Sequence, residues 1–133
     1  MRAGALASAI SAISATLIAP SYAANWQYTR EAESGKPKMV WNYGNWNAKC
    51  EERGGVVTVL SKPQHGTLSR QRAVQHIRSN RINPTDHCIG RDLPGLAVTY
   101  TSARGFHGTD TFVIQRTFPT GRIDVDTFTM QVK

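Results

Sequence analysis

Residues 111–132 read TFVIQRTFPTGRIDVDTFTMQV, two runs of β-forming residues about a turn. Phe112 and Ile114 begin a strand that extends to Phe118. Pro119-Thr120-Gly121 then makes a hairpin loop, with the glycine free to take positive φ. Ile123 and Val125 alternate on the return, after which the apolar phase moves to Phe128, Met130 and Val132. A one-residue change of phase turns the inward face outward unless an extra residue absorbs it. A bulge is therefore predicted near Asp126-Thr127.

Upstream the pattern is of the same kind. Val56-Val57-Thr58-Val59-Leu60 is dense in β-branched residues and reads as a buried strand, stopped by Lys62-Pro63. Strands 56–61 and 111–118 are both predicted to be central. His65-Gly66 turns the chain into Thr67–Arg70, read as a hairpin return. Residues 71–87 carry the weakest signal: Val74 and Ile77 have the spacing of one helical turn, and Asn83-Pro84 marks a loop. Leu96–Tyr100 is a further strand, and Gly105 to Gly108 a turn. Near the start, Met39, Trp41 and Tyr43 alternate as a first strand, ended by turn-forming Asn42, Gly44, Asn45 and Asn47. Residues 24–38, polar and containing Gly35 and Pro37, read as a loose N-terminal arm. Short strands between Gly/Pro turns, with no long helical period, imply an all-β sandwich over residues 39–133.

Residues 1–23, MRAGALASAISAISATLIAPSYA, have the form of a signal peptide: Arg2, a weakly apolar run, then Pro20 and the small residues Ser21 and Ala23. The expected cleavage follows Ala23. A transmembrane anchor fits less well, because the run has about 15 residues against ~20 needed to span, and it contains Ser8, Ser11, Ser14 and Thr16. The mature protein is thus expected to be exported, periplasmic or secreted, with no membrane span after cleavage. In an oxidising compartment Cys50 and Cys88 are expected to form a disulfide. That crosslink closes a loop of about 39 residues, for which chain entropy alone gives ~4 kcal/mol as an upper figure. A metal site from Cys50, His87 and Cys88 is the alternative, but His65, His76, His87 and His107 show neither an H-x₃₋₅-H nor a C-x₂₋₄-C spacing. No metal and no cofactor are expected.

Two stretches carry a family resemblance. One is KPQHGTLS, with Pro63, His65, Gly66, Thr67 and Leu68; the other runs from Tyr100 through GFHGTDTF, with Gly105, Phe106, Gly108, Asp110 and Phe112. Together they resemble the bacterial immunoglobulin-like, cadherin-like repeat of surface and adhesion proteins, over about residues 56–133. The resemblance implies an immunoglobulin-like antiparallel β-sandwich in which the P-x-H-G-T turn begins a hairpin and the glycine–aspartate turn precedes the last strands. It implies a structural part for His65, and for Asp110 the role of accepting backbone N–H bonds. The cysteine pair is not a general feature of such repeats, and the acidic runs that bind calcium between cadherin repeats are missing here.

Over the 133 residues Lys plus Arg is 16 and Asp plus Glu is 9, a net +7 that points to anionic partners. Six of the cations, Arg53, Lys62, Arg70, Arg72, Arg78 and Arg81, fall within residues 53–85, which contain no acid. Lys62, Arg70, Arg72, Arg78 and Arg81 are the candidate anion-binding residues if they share one surface; otherwise the block serves solubility. Nucleic acid is the weaker target, since the block has no aromatic residues for stacking. All three tryptophans lie in residues 26–46, with Tyr28 and Tyr43, either as exposed rings for sugars or a protein partner or as filling at the core edge. No G-x-S-x-G elbow, Walker loop, H-E-x-x-H or EF-hand spacing is present, and Glu51-Glu52 are neighbours that a strand would point to opposite faces. The expectation is a non-enzymatic exported interaction domain of the cell envelope or secreted fraction, binding an unknown protein. The alternatives are a binder of anionic envelope polymer or glycan, and a secreted enzyme or enzyme inhibitor.

Overall fold

The computed structural model describes residues 23–133, so the signal peptide read at 1–23 lies, except for Ala23, outside the described residues. Seven strands follow one another: β1 (Ala23–Ala32), β2 (Pro37–Tyr43), β3 (Val56–Ser61), β4 (Gly66–His76), β5 (Asp92–Ser102), β6 (Gly108–Thr117) and β7 (Ile123–Val132). They form a four-stranded sheet of order β1-β7-β6-β3 and a three-stranded sheet of order β2-β5-β4. The fold is all-β, and among the described residues there is no helix. Val98 and Tyr100 from one sheet meet Phe112, Ile114, Phe128 and Met130 from the other, all fully buried between the layers. Their rings stack in sequence, Tyr100 on Phe112 at 5.8 Å and Phe112 on Phe128 at 5.1 Å. Each such side chain contributes ~1.5–3 kcal/mol through burial, which makes this the dominant cohesive element.

The β6–β7 hairpin forms as expected, with Gly121 at φ 86° in its loop. The expected bulge near Asp126-Thr127 does not. The register runs without a break from Thr117↔Ile123 to Gly108↔Val132. Asp124 and Asp126 take the inward positions that the phase of Phe128, Met130 and Val132 demands, and all five are buried. Ile123 and Val125 occupy the opposite face. The irregularities fall instead in β2, between Met39 and Trp41, and in β3, between Val59 and Ser61. The first turns Val40 into the core and leaves Met39 exposed, so the simple alternation of Met39, Trp41 and Tyr43 is broken.

The N-terminal arm read at 24–38 is also corrected. Ala23–Ala32 is a strand, paired in parallel with β7, which makes the sandwich mixed rather than wholly antiparallel. Its inward positions, Ala24, Trp26, Tyr28, Arg30 and Ala32, have strict period two, with polar Asn25, Gln27, Thr29 and Glu31 outside. Arginine and alanine at inward positions dilute the apolar contrast that would have disclosed it. Gly35 then turns the chain at φ 70° into β2.

The strand at 56–61 is an edge, not a central element, since β3 pairs only with β6. Val57 and Val59 face inward, whereas Val56 and Leu60 lie exposed. The β-branched run thus reflects strand propensity rather than two-sided burial. The turn at His65-Gly66 does not close a hairpin either: it carries the chain from one sheet to the other. β4 then continues through residues 71–76, where the sequence offered only a helical turn. Val74 is exposed and Ile77 buried, because the first belongs to an extended edge strand and the second to the loop behind it.

Candidate functional site

The two ends of the sandwich are built from different chemistry. At the β3–β4 turn, the resemblance motifs converge on Asp110. Its carboxylate accepts the backbone N–H of Gln64 (3.0 Å), His65 (3.1 Å) and Thr111 (3.0 Å) and the hydroxyl of Tyr100 (2.8 Å). Burial, then this hydrogen bond, raise the Tyr100 hydroxyl well above the usual tyrosine range. His65 stacks on Phe106 with centroids 4.2 Å apart and nearly parallel planes. At Gly66 a Cβ would stand 2.6 Å from the Thr101 carbonyl oxygen, so no side chain fits. The fold-motif residues Pro63, His65, Gly66, Tyr100, Gly105, Phe106, Gly108, Asp110 and Phe112 are thereby committed to two neighbouring turns, β3–β4 and β5–β6, and the core beneath them.

The opposite end holds an ion cluster. Parallel pairing of β1 with β7 sets Trp26 beside Asp126 and Tyr28 beside Phe128. Antiparallel pairing with β6 sets Arg116 beside Asp124. Into this corner the β4–β5 loop inserts Arg81. Its guanidinium pairs with Asp126 at 2.9 Å and Asp124 at 3.1 Å and donates to the Tyr28 hydroxyl. Its charge lies over the rings of Trp26 (4.7 Å) and Trp41 (5.5 Å), distances at which aromatic faces attract cations. Burial opposes the Arg81 charge, but Asp126 and Tyr28 prevail and hold the guanidinium above its ordinary range. Tyr43 donates to Asp126 at 2.7 Å, and burial together with that carboxylate pushes its hydroxyl far upward. Arg122 completes the Asp124 contacts at 2.9 Å.

Arg116 is placed differently. It is buried on β6, donates to the Gly44 carbonyl and lies over the Phe118 ring at 4.0 Å, with no carboxylate among its ion-pair partners. Burial, reinforced by the charge of Arg81, lowers its guanidinium to about 10, which leaves it charged at neutral pH.

The expected disulfide is present: Cys50 and Cys88 are joined, with Cα atoms 5.5 Å apart, tying the β2–β3 loop to the β4–β5 loop. Ile77, Leu93, Trp46 and Ile89 pack around it as a second, smaller core. Asp86 accepts the Trp46 indole N–H (2.7 Å), the Asn80 amide (2.8 Å) and the Cys88 backbone N–H (2.9 Å). The bond from Cys88 leads in holding its carboxyl below the usual range. His87 lies beside the two sulfurs, the three ligand atoms falling within 4.8 Å of one another. With the sulfurs bonded together neither supplies a thiolate, the form that binds metal.

Between these loops and β2 opens a cavity of about 580 Å³. Its walls include Trp41, Trp46, Asn42, Arg78, Arg81 and Arg116. The Asn42 side-chain oxygen there is buried and without a hydrogen-bond donor. A second cleft of about 540 Å³ lies between the edge strands β3 and β4 and includes Lys62, Pro63 and Arg70.

The basic block is therefore divided. Arg78 and Arg81 belong to the cavity, and Arg81 is largely consumed by the two aspartates. Lys62 and Arg70 border the other cleft, where Arg70 donates to the Val57 carbonyl at 2.8 Å. Arg72 is exposed and held bidentately by Glu52 at 2.7 Å. Sequence reasoning missed Asp124, Asp126, Arg116 and Arg122. The available signal was the unbroken period two from Asp124 to Val132, with aspartates in apolar positions.

No family model matches the chain, and no curated protein matches it. Among solved structures the chain is similar to one described as the solution structure of amebosin, at 13% identity over 82% of this chain and 96% of that one. The TM-score is 0.41, a likeness too slight to bear on fold family or function.

Proposed function

We propose that this chain is an exported, immunoglobulin-like, non-enzymatic interaction domain of the cell envelope or secreted fraction, related to the repeats its turn motifs resemble. The observation that carries the reading is the strand order. β2-β5-β4 and β3-β6-β7 follow the pairing of the second to seventh strands of an immunoglobulin sandwich, with β1 added at the free edge of β7. Support for export comes from the disulfide. Among the described residues no helix is long and apolar enough to cross a membrane. Several groups suited to acid–base work are engaged in the fold: His65 is stacked, Asp110 caps a turn, and Asp124 and Asp126 neutralise Arg81, whereas His76, bonded to Asp92 at 2.7 Å, stays exposed at the cavity.

A second reading, binding to an anionic envelope polymer, is favoured by Arg78 and Arg116, which border an open cavity without a carboxylate among their ion-pair partners. Incubating the exported protein with envelope extract and recovering it by affinity tests the first reading. Capture of a stoichiometric protein partner, retained at high salt, is expected. Retention only on anionic polysaccharide or lipopolysaccharide, lost as salt rises, selects the second. Turnover of any captured component overturns the non-enzymatic reading.

A further inference from the structure

The cavity beneath the disulfide-tied loops has features that structural need alone does not explain. A volume of about 580 Å³ is within the ~300–1,000 Å³ common for small-ligand sites. Two indoles, Trp41 and Trp46, stand in its wall, and Trp46 is fixed there by its bond to Asp86. Charge in the corner does not balance. Three guanidinium groups, Arg81, Arg116 and Arg122, face Asp124, engaged by Arg81 and Arg122, and Asp126, engaged by Arg81, while Asp86 in the cavity wall is taken up by Trp46, Asn80 and Cys88. Arg116 is left with a carbonyl and an aromatic face. Exposed Arg78 adds a further cation at the rim.

Buried charges are normally paired. A ligand that brought an anion to Arg116 would supply the partner it lacks. Its body would lie against indole faces, which suit the C–H face of a sugar ring.

We propose that this cavity binds an anionic saccharide, with a carboxylate or sulfate on Arg116 and Arg78 and a ring against Trp41 or Trp46. The proposal rests on the second reading, binding to an anionic envelope polymer, and names its site. Arg81, already neutralised, positions the corner and does not supply the anion contact.

The test is a two-dimensional ¹H–¹⁵N titration of the exported protein with three probes: galacturonic acid trimer, a sulfated heparin disaccharide and neutral maltotriose. Saturable shifts of the Trp46 indole N–H and of amides within residues 77–82 are expected with an anionic probe, with affinity at least tenfold above that for maltotriose. Whichever anionic probe binds tighter identifies carboxylate or sulfate as the group recognised. R116M retains an apolar stem and should lower affinity at least tenfold at unchanged fold. Should it fail to fold, R78A at the exposed rim should lower affinity about threefold, as expected for a solvated charge contact. Equal binding of maltotriose, no saturable shift, or shifts centred on Lys62 and Arg70 would overturn the site. In the last case the binding-domain reading survives with a different surface, whereas release of new reducing ends from the trimer would overturn the non-enzymatic reading itself.

Discussion

The Asp110 turn and the Arg81 corner both place carboxylates in the sandwich, yet they are satisfied in opposite ways. Asp110 is held by backbone N–H groups and one tyrosine, mostly from a turn and its neighbours. Asp124 and Asp126 depend chiefly on a side-chain guanidinium; both sites draw donors from more than forty residues away, so what differs is the kind of donor. A carboxylate satisfied by backbone donors keeps those partners whatever the side chains do. Asp124 and Asp126, satisfied by side chains, share one partner, Arg81, and lose it together when that residue changes, keeping only Arg122 and Tyr43. The first arrangement is a device of the fold, whereas the second fixes a loop, and with it the wall of a cavity.

The largest expected effect follows from that contrast. Arg81→Met leaves Asp124 and Asp126 buried beside Arg116 and Arg122 without their chief counter-charge. Breaking a buried pair on one side costs about 3–5 kcal/mol. Chemical denaturation should show a loss of that size, against the ~5–15 kcal/mol total of an ordinary domain. A loss below 1 kcal/mol would mean that the corner is wet and its ion pairs unimportant. Removing the disulfide by Cys50→Ser with Cys88→Ser should cost about 2–4 kcal/mol in the same measurement, because it frees a loop whose ends are 38 residues apart. It should also raise amide exchange in residues 77–91 while leaving the Asp110 turn protected. Loss of protection at both ends together would erase the distinction between them.

Asp110→Ala is next, at about 2–3 kcal/mol, since several N–H donors and the Tyr100 hydroxyl lose one acceptor but lie where water reaches some of them. Arg72→Ala is the smallest, within about 0.5 kcal/mol, because the Arg72–Glu52 pair is largely solvated. A thermal melt of that variant should be nearly superimposable on the wild type.

The same contrast explains what was legible in the sequence. The Asp110 turn was readable, although Gln64 and His65 stand 46 and 45 residues from Asp110, because each half carries its own turn residues: Gly66 where a Cβ would strike the Thr101 carbonyl, and Gly105 and Gly108 at positive φ. The all-β class, the β6–β7 hairpin and the cysteine pairing were readable for similar reasons of composition and turn chemistry. The Arg81 corner was not, because Asp124 and Asp126 occupy positions where alternation calls for apolar residues. Read locally, an aspartate at such a position argues for a slipped phase. Only a cation delivered from a loop between other strands makes it tolerable, and that partner is invisible to periodicity. β1 escaped for a related reason, since Arg30 stands inward over Tyr28 and Trp41. The edge position of β3 depended on strand order, which a β-branched run does not encode.

The division of labour between the two buried arginines is open to direct observation through their side-chain Nε–Hε resonances, recorded with and without galacturonic acid trimer. Arg81, locked between two carboxylates, should show slow hydrogen exchange and stay in place when the saccharide is added. Arg116 should shift and become more protected from exchange as the ligand anion reaches it. Movement of Arg81 with Arg116 unchanged, or a response confined to Arg70 on the far cleft, would contradict the assignment of one arginine to the fold and the other to the ligand.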